Sequence, residues 1–166
     1  MKKRPRPQTT VRIRGFARLQ IGERQRDGSV KVVGDSGWRR NTLTTDNGGG
    51  LTAYIAAKVG GVAGSKTPTH LQLATQTAAV NATQTSLLGE TRVRKTFNLD
   101  LSTIATGTLQ MAGSWSSSDN TAQITIGAIA VYNTSSGGTM ASGATFSSSV
   151  WNSNQDLSAT YQYRWS

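Results

Sequence analysis

The chain has 166 residues, with 18 Lys+Arg against 8 Asp+Glu and a formal net charge of +10, a length that suits a single domain. Hydrophobic residues make up 36% and charged residues 16%, so Gly, Ser, Thr, Asn and Gln fill the remainder; this argues against helical bundles and coiled coils and for turn-rich β-structure. The lack of cysteine excludes disulfides, thiolate metal sites and cysteine nucleophiles, and the single histidine, His70, leaves little for an imidazole metal centre.

Residues 1–10 (MKKRPRPQTT) carry two prolines and no apolar cluster, so alone they bury too little to offset the entropy of ordering. They are expected to form an extended basic arm that orders only on a partner. The basic start is not followed by the apolar stretch of a secretory signal, and no apolar run reaches the roughly 18 residues a membrane span needs; a soluble chain without a membrane partner is the expectation. Charge is concentrated at this end. Residues 1–40 hold twelve basic and three acidic side chains, a net of +9, whereas residues 41–166 hold six and five, a net of +1.

After the arm, Val11 and Ile13 alternate with Arg12 and Arg14, and the apolar phase then changes through Phe16, Leu19 and Ile21, which predicts a strand with a bulge or bend near Gly15. Asp27-Gly28 predicts a turn and Val30, Val32 and Val33 a returning strand, so residues 11–33 are expected to form a hairpin with one basic face. In 46–60, Leu51, Tyr54, Ile55, Lys58 and Val59 have helical spacing; Asp46 or Asn47 is the expected cap and Gly60-Gly61 the stop.

From residue 69 to the end the pattern is period two. Leu71 and Leu73 predict one strand, and Phe97, Leu99 and Leu101 another. Leu109, Met111, Gly113 and Trp115 follow, then Ile124 and Ile126 with a phase shift near Gly127 before Ile129 and Val131. Met140, Ala144 and Phe146 mark a weaker strand, and Leu157, Ala159, Tyr161, Tyr163 and Trp165 a strong last one with no tail expected beyond it. Turns are expected at 106–107, 118–120, 136–138 and 152–154. The fold class is therefore all-β: a two-sheet sandwich or jelly-roll-like domain over residues 11–166, with one short helix and the basic arm of residues 1–10. Residues 96–163 contain no Lys or Arg, so strand edges are expected to lack lysine protection and to be covered by neighbouring subunits of a homo-oligomer.

Few residues suggest reaction chemistry. His70 has no G-x-S-x-G elbow beside it, and the acids are scattered singly in turn and capping contexts, so no catalytic residue, no cofactor and no metal ligand is expected. Gly60 to Thr67 fails the phosphate-loop pattern because Ser65 stands where its second glycine belongs. Tyr161, Tyr163 and Trp165 share one strand face and read as core; Trp151, in a Ser/Asn-rich stretch, is the candidate surface aromatic. The partner-binding candidates are Lys2, Lys3, Arg4, Arg6, Arg12 and Arg14. They suit either phosphates or an acidic protein groove, and the lack of aromatics before Phe16 favours the groove over base stacking.

Val33-Gly34-Asp35-Ser36-Gly37-Trp38 to Asn41, the Gly-rich helix, Leu71 to Thr75, and Leu87-Leu88-Gly89-Glu90 with Arg92 resemble an element series in small virion proteins of tailed bacteriophages. The stretches Ile126-Gly127 to Tyr132-Asn133, Ser135 to Met140, Phe146 and Asp156 to Tyr161 extend that resemblance over about residues 33–166. It implies a non-enzymatic virion component assembled in the bacterial cytoplasm. With the basic arm, a capsid decoration or cement protein bound to the major capsid protein or other virion proteins is expected. A tail or fibre protein binding a receptor or glycan, and a non-specific nucleic-acid binder, are the alternatives.

Overall fold

The computed structural model describes residues 12–45, 50–62, 67–100, 104 and 106–166. Among these residues eleven strands form two antiparallel sheets. The first sheet contains β1 (Ile13–Arg24), β2 (Val30–Asp35), β3 (Arg39–Arg40), β7 (Asn98–Asp100), β8 (Thr108–Trp115) and β11 (Gln155–Trp165), in the order β2-β1-β11-β8-β7 with β3 also on β1. The second contains β4 (Thr42–Leu43), β5 (His70–Ala74), β6 (Glu90–Thr96), β9 (Ile124–Tyr132) and β10 (Met140–Trp151), in the order β4-β10-β9-β5-β6. The chain is an all-β two-sheet sandwich with one helix, α1 (Leu51–Val59).

Alternation decides which side chains meet between the sheets. Ala17, Leu19 and Ile21 of β1, Met111 and Trp115 of β8, and Leu157, Ala159, Tyr161 and Tyr163 of β11 face Leu71, Leu73, Ile129, Val131, Phe146 and Trp151 of the second sheet. The predicted turns all form, and the helix stops at Gly60, whose N–H bonds Ala56 O. At its start Gly50 is the cap residue, without a side-chain bond; Asp46 and Asn47 lie outside the described residues.

The bulge expected near Gly15 is absent. β1 pairs with β11 without interruption from Ile13↔Trp165 to Glu23↔Gln155, which keeps Gly15 on the inner face and puts Phe16 on the outer one. The missing side chain at 15 makes room for Asn41, whose amide atoms lie within about 2 Å of where a Cβ would stand. The hairpin's irregularity is on β2, where Val33 is the extra residue between Ile21↔Gly34 and Gly22↔Val32. The strand expected over 96–101 also breaks, because the chain leaves the second sheet after Thr96 and enters the first at Asn98; Leu101 lies outside the described residues. The phase shift at Gly127 is present as a register shift between β9 and β10.

The expectation of unprotected edges holds only in part. β4 pairs with β10 only at Ser142 and Gly143, and β7 with β8 only at Gln110, Met111 and Ala112. The rest of these Lys- and Arg-free strands therefore lacks a strand partner on one side among the described residues, while the strand order sets other segments at the sheet ends. Strands β8, β9 and β10, which hold most of the stretch without Lys or Arg, are interior strands. The edges are β2, bulged and bearing Lys31; β7 and β4, three and two residues long; and β6, bearing Arg92, Arg94 and Lys95. Short, bulged or basic edges resist strand addition.

The second sheet is covered on its outer face too, over β5, β9 and the start of β10. Ala74, Ala128, Ala130, Tyr132 and Met140 on its outer side pack under Val80 and Leu87 of the connection 75–89. Gly127 lets that connection approach: a Cβ there would stand 2.5 Å from Gln76 O. The Gln76 side chain ties the connection together, receiving the Leu88 N–H and the Gln84 amide, each at 2.8 Å, and donating to Ala78 O. The Tyr132 hydroxyl accepts the Leu87 N–H at 2.8 Å and donates to Glu90 at 2.5 Å, while the Arg94 guanidinium lies 3.6 Å from the Tyr132 ring centroid. Glu90 therefore pairs with Arg94, at 2.9 Å, and not with Arg92. Arg92 instead bonds Asn120 and Ala122 O.

Candidate functional site

The outer face of the first sheet has no such cover from the connection, and its corner at β3, β1 and β11 gathers cations and aromatics. Register places Arg14 opposite Arg164, and Phe16 opposite both Gln162 and Arg40. The Arg164 guanidinium sits 4.5 Å from the Phe16 ring centroid and 5.5 Å from that of Trp38, which is 40% exposed. A polar relay holds it there: Arg164 Nε donates to Gln162 Oε1 at 2.8 Å, Gln162 to Gln110 at 2.5 Å, and Gln110 to Asp100 at 3.3 Å. Stacking and hydrogen bonding orient this cation before any partner arrives.

Two further arginines of β1 are already neutralised. Arg18 chelates Asp35 and Arg24 bonds Asp156 at 2.9 Å. The Arg18 guanidinium, helped by the Gly37 amide and Gln20, outweighs desolvation and holds the Asp35 carboxyl down to about 2. Among the described residues Arg14, Arg40 and Arg164 form no ion pair. Like charges set directly opposite on one sheet face repel, so this corner carries an uncompensated electrostatic cost.

Beside the cluster is an open polar pocket of about 420 Å³ lined by Ile13, Arg14, Gly15, Arg40, Asn41, Thr42 and Leu43. Asn41 is buried with neither amide atom in a hydrogen bond, and its side chain lies near enough to the Tyr161 hydroxyl to oppose the upward shift of that phenol. Deeper in the sandwich Tyr161 and Tyr163 both bond the Ser142 hydroxyl, at 2.8 and 2.5 Å, and burial pushes both phenols above their ordinary range. A second cleft, about 210 Å³ and almost wholly apolar, lies between α1 and the ends of β7, β8 and β11, with Tyr54, Phe97, Leu99 and Trp165 in its walls.

Of the residues expected to bind a partner, Lys2, Lys3, Arg4 and Arg6 lie outside the described residues. Arg12 exchanges backbone hydrogen bonds with Ser166, at 3.0 and 3.1 Å, and so lies beside the end of β11. Arg14 lies two positions on, within the cluster. Arg40, Arg164, Phe16 and Trp38 were not among the expected site residues. The available signal is Arg164, the only Lys or Arg after residue 95, standing on the polar phase of a strand whose other phase, from Leu157 to Tyr163, is apolar.

Trp151 is a correction. It is fully buried, pairs with Ile124 across β9 and β10, and donates its indole N–H to Gln155 O at 2.8 Å. The Ser/Asn-rich loop begins one residue after it, and with its ring in the core Trp151 offers no surface for a glycan. His70 bonds Thr69 through Nδ1 at 2.8 Å, and Nε2 reaches Thr96 at 3.4 Å. Burial, with Arg94 nearby, holds its pKa below the ordinary value. Among the described residues no three of His, Cys, Asp and Glu group together as metal ligands, and no helix is long and apolar enough to cross a membrane. No family model, no curated protein and no solved structure matches the chain. What defines the protein's class is therefore its own geometry: an all-β sandwich with one covered sheet and one sheet that presents a cationic, aromatic-backed corner.

Proposed function

We propose that this protein is a structural component of a tailed-bacteriophage virion, of the capsid decoration or cement type, which docks on acidic coat subunits through its basic N-terminal region. The observation that carries the reading is the partition of charge. A net of +9 lies in residues 1–40, and three guanidiniums near the point where those residues enter the fold have no acidic partner among the described residues. An extended arm repeated over a symmetric shell gains avidity from many weak contacts, so no single strong site is required. The reading takes the protein as a binder that performs no reaction, and the phage resemblance supplies the virion as its setting.

Co-sedimentation with empty capsids tests it. Replacing Lys2, Lys3, Arg4 and Arg6 together by Gln changes no described residue and should abolish binding at moderate salt. Unchanged capsid binding by that variant would overturn the arm's role, and binding to tails but not to capsids would overturn decoration.

A further inference from the structure

We infer that the folded domain has its own recognition site for an acidic polypeptide segment, centred on Arg14, Arg40 and Arg164 and backed by Phe16 and Trp38. The inference rests on the acidic-partner reading above but places the contact on the sheet face, apart from residues 1–10.

The cross-strand pair Arg14↔Arg164, with Arg40 alongside, is a concentration of like charge that the fold holds without a counter-ion among the described residues. Guanidiniums take carboxylates in planar hydrogen bonds; Gln162 Oε1 accepts from both Nε and Nη2 of Arg164, which, with its two rings, fixes the group and leaves its Nη1 side without a partner among the described residues. A carboxylate bridging Arg14 and Arg164 would turn the repulsion into attraction.

Two observations favour a polypeptide over a nucleic acid. First, Phe16 and Trp38 already have the Arg164 cation against them, which limits their use as stacking platforms for bases. Second, a phosphate backbone needs a basic track, and this face has none beyond the corner. Across β8 and β7 it presents Thr108, Gln110, Ser114, Asn98 and Asp100, while Arg18 and Arg24 are occupied by Asp35 and Asp156. Three cations without an acidic partner among the described residues, beside amides, hydroxyls and the Asp100 carboxylate, match a short run of Glu or Asp whose backbone can bond to side-chain amides.

The experiment uses the full chain and a fluorescent oligoglutamate peptide at low ionic strength, read by anisotropy. Arg14→Gln with Arg40→Gln should weaken binding by about tenfold or more, as expected for two charged contacts. Arg26→Gln with Lys31→Gln, which removes the same charge at the far end of the hairpin, should change it less than about twofold. Arg14→Gln alone should also raise the melting temperature of the free protein, and saturating peptide should erase that gain. Equal losses from both double variants would show non-specific attraction and overturn the inference. So would tighter binding of a DNA duplex with the same variant sensitivity, since the face would then belong to nucleic acid. If the peptide binds as expected while capsids do not bind the protein at all, the virion reading fails and this site stands.

Discussion

On the outer face of the second sheet, β5 sets Gln72 beside Ala130 of β9 and both are buried, Ala130 under the connection 75–89; on the outer face of the first, β11 sets Arg164 beside Arg14 of β1 and both are exposed. The two faces solve different problems. Small side chains at 74, 128 and 130, with glycine at 127, allow a long connection to lie flat, and the polar groups it brings are satisfied by Gln76, Tyr132 and Glu90. At the open corner three cations stay unneutralised among the described residues. A face that spends its polar groups internally stabilises the fold, and one that leaves charge unmatched is suited to a partner.

The largest effect expected from breaking this contrast is at Tyr132. Its ring is fully buried beneath Arg94, and its hydroxyl joins Leu87 to Glu90. Tyr132→Ala should cost about 3–5 kcal/mol, the range for truncating a large buried aromatic, measured by urea unfolding. A loss below about 1 kcal/mol would mean that the connection 75–89 does not depend on it. Next comes Gly127→Ala. Its Cβ would press on Gln76 O, and unfolding should show a loss of about 1–3 kcal/mol, with faster amide exchange at Leu87 and Leu88.

The smallest effect belongs to the open face. Asp35 is held at about 2 in the folded protein, below the roughly 3.9 of a free aspartate. A depressed carboxyl stabilises the fold above the unfolded value, and that contribution is lost as pH falls through the folded one. Asp35→Asn should therefore flatten the stability profile between about pH 4 and pH 2. At neutral pH it should cost less than about 1 kcal/mol, because the Arg18–Asp35 pair is about a third exposed. A profile unchanged below pH 4 would show that the pair contributes nothing in solution.

Much of the sandwich was legible because its inner faces follow period two: the phases of Leu109 to Trp115 and Leu157 to Tyr163 are those of the folded strands. Phe16 misled because an aromatic on the solvent phase looks like a change of phase. Its reason for being there is Arg164, at the other end of the chain. Trp151 misled because its polar neighbours in sequence are not its neighbours in space. The edges misled in part, because a stretch free of lysine says nothing about where its strands lie in a sheet.

By itself the sequence determined the class of fold, the turns, the helix stop and the gathering of charge into the first forty residues, since these follow from local periodicity, backbone preference and counting. Only the tertiary structure decided which strands are edges, which sheet is covered and which arginines remain unneutralised. Those outcomes depend on pairing between distant segments, as when β11 carries Arg164 back to Arg14. No local pattern encodes that juxtaposition.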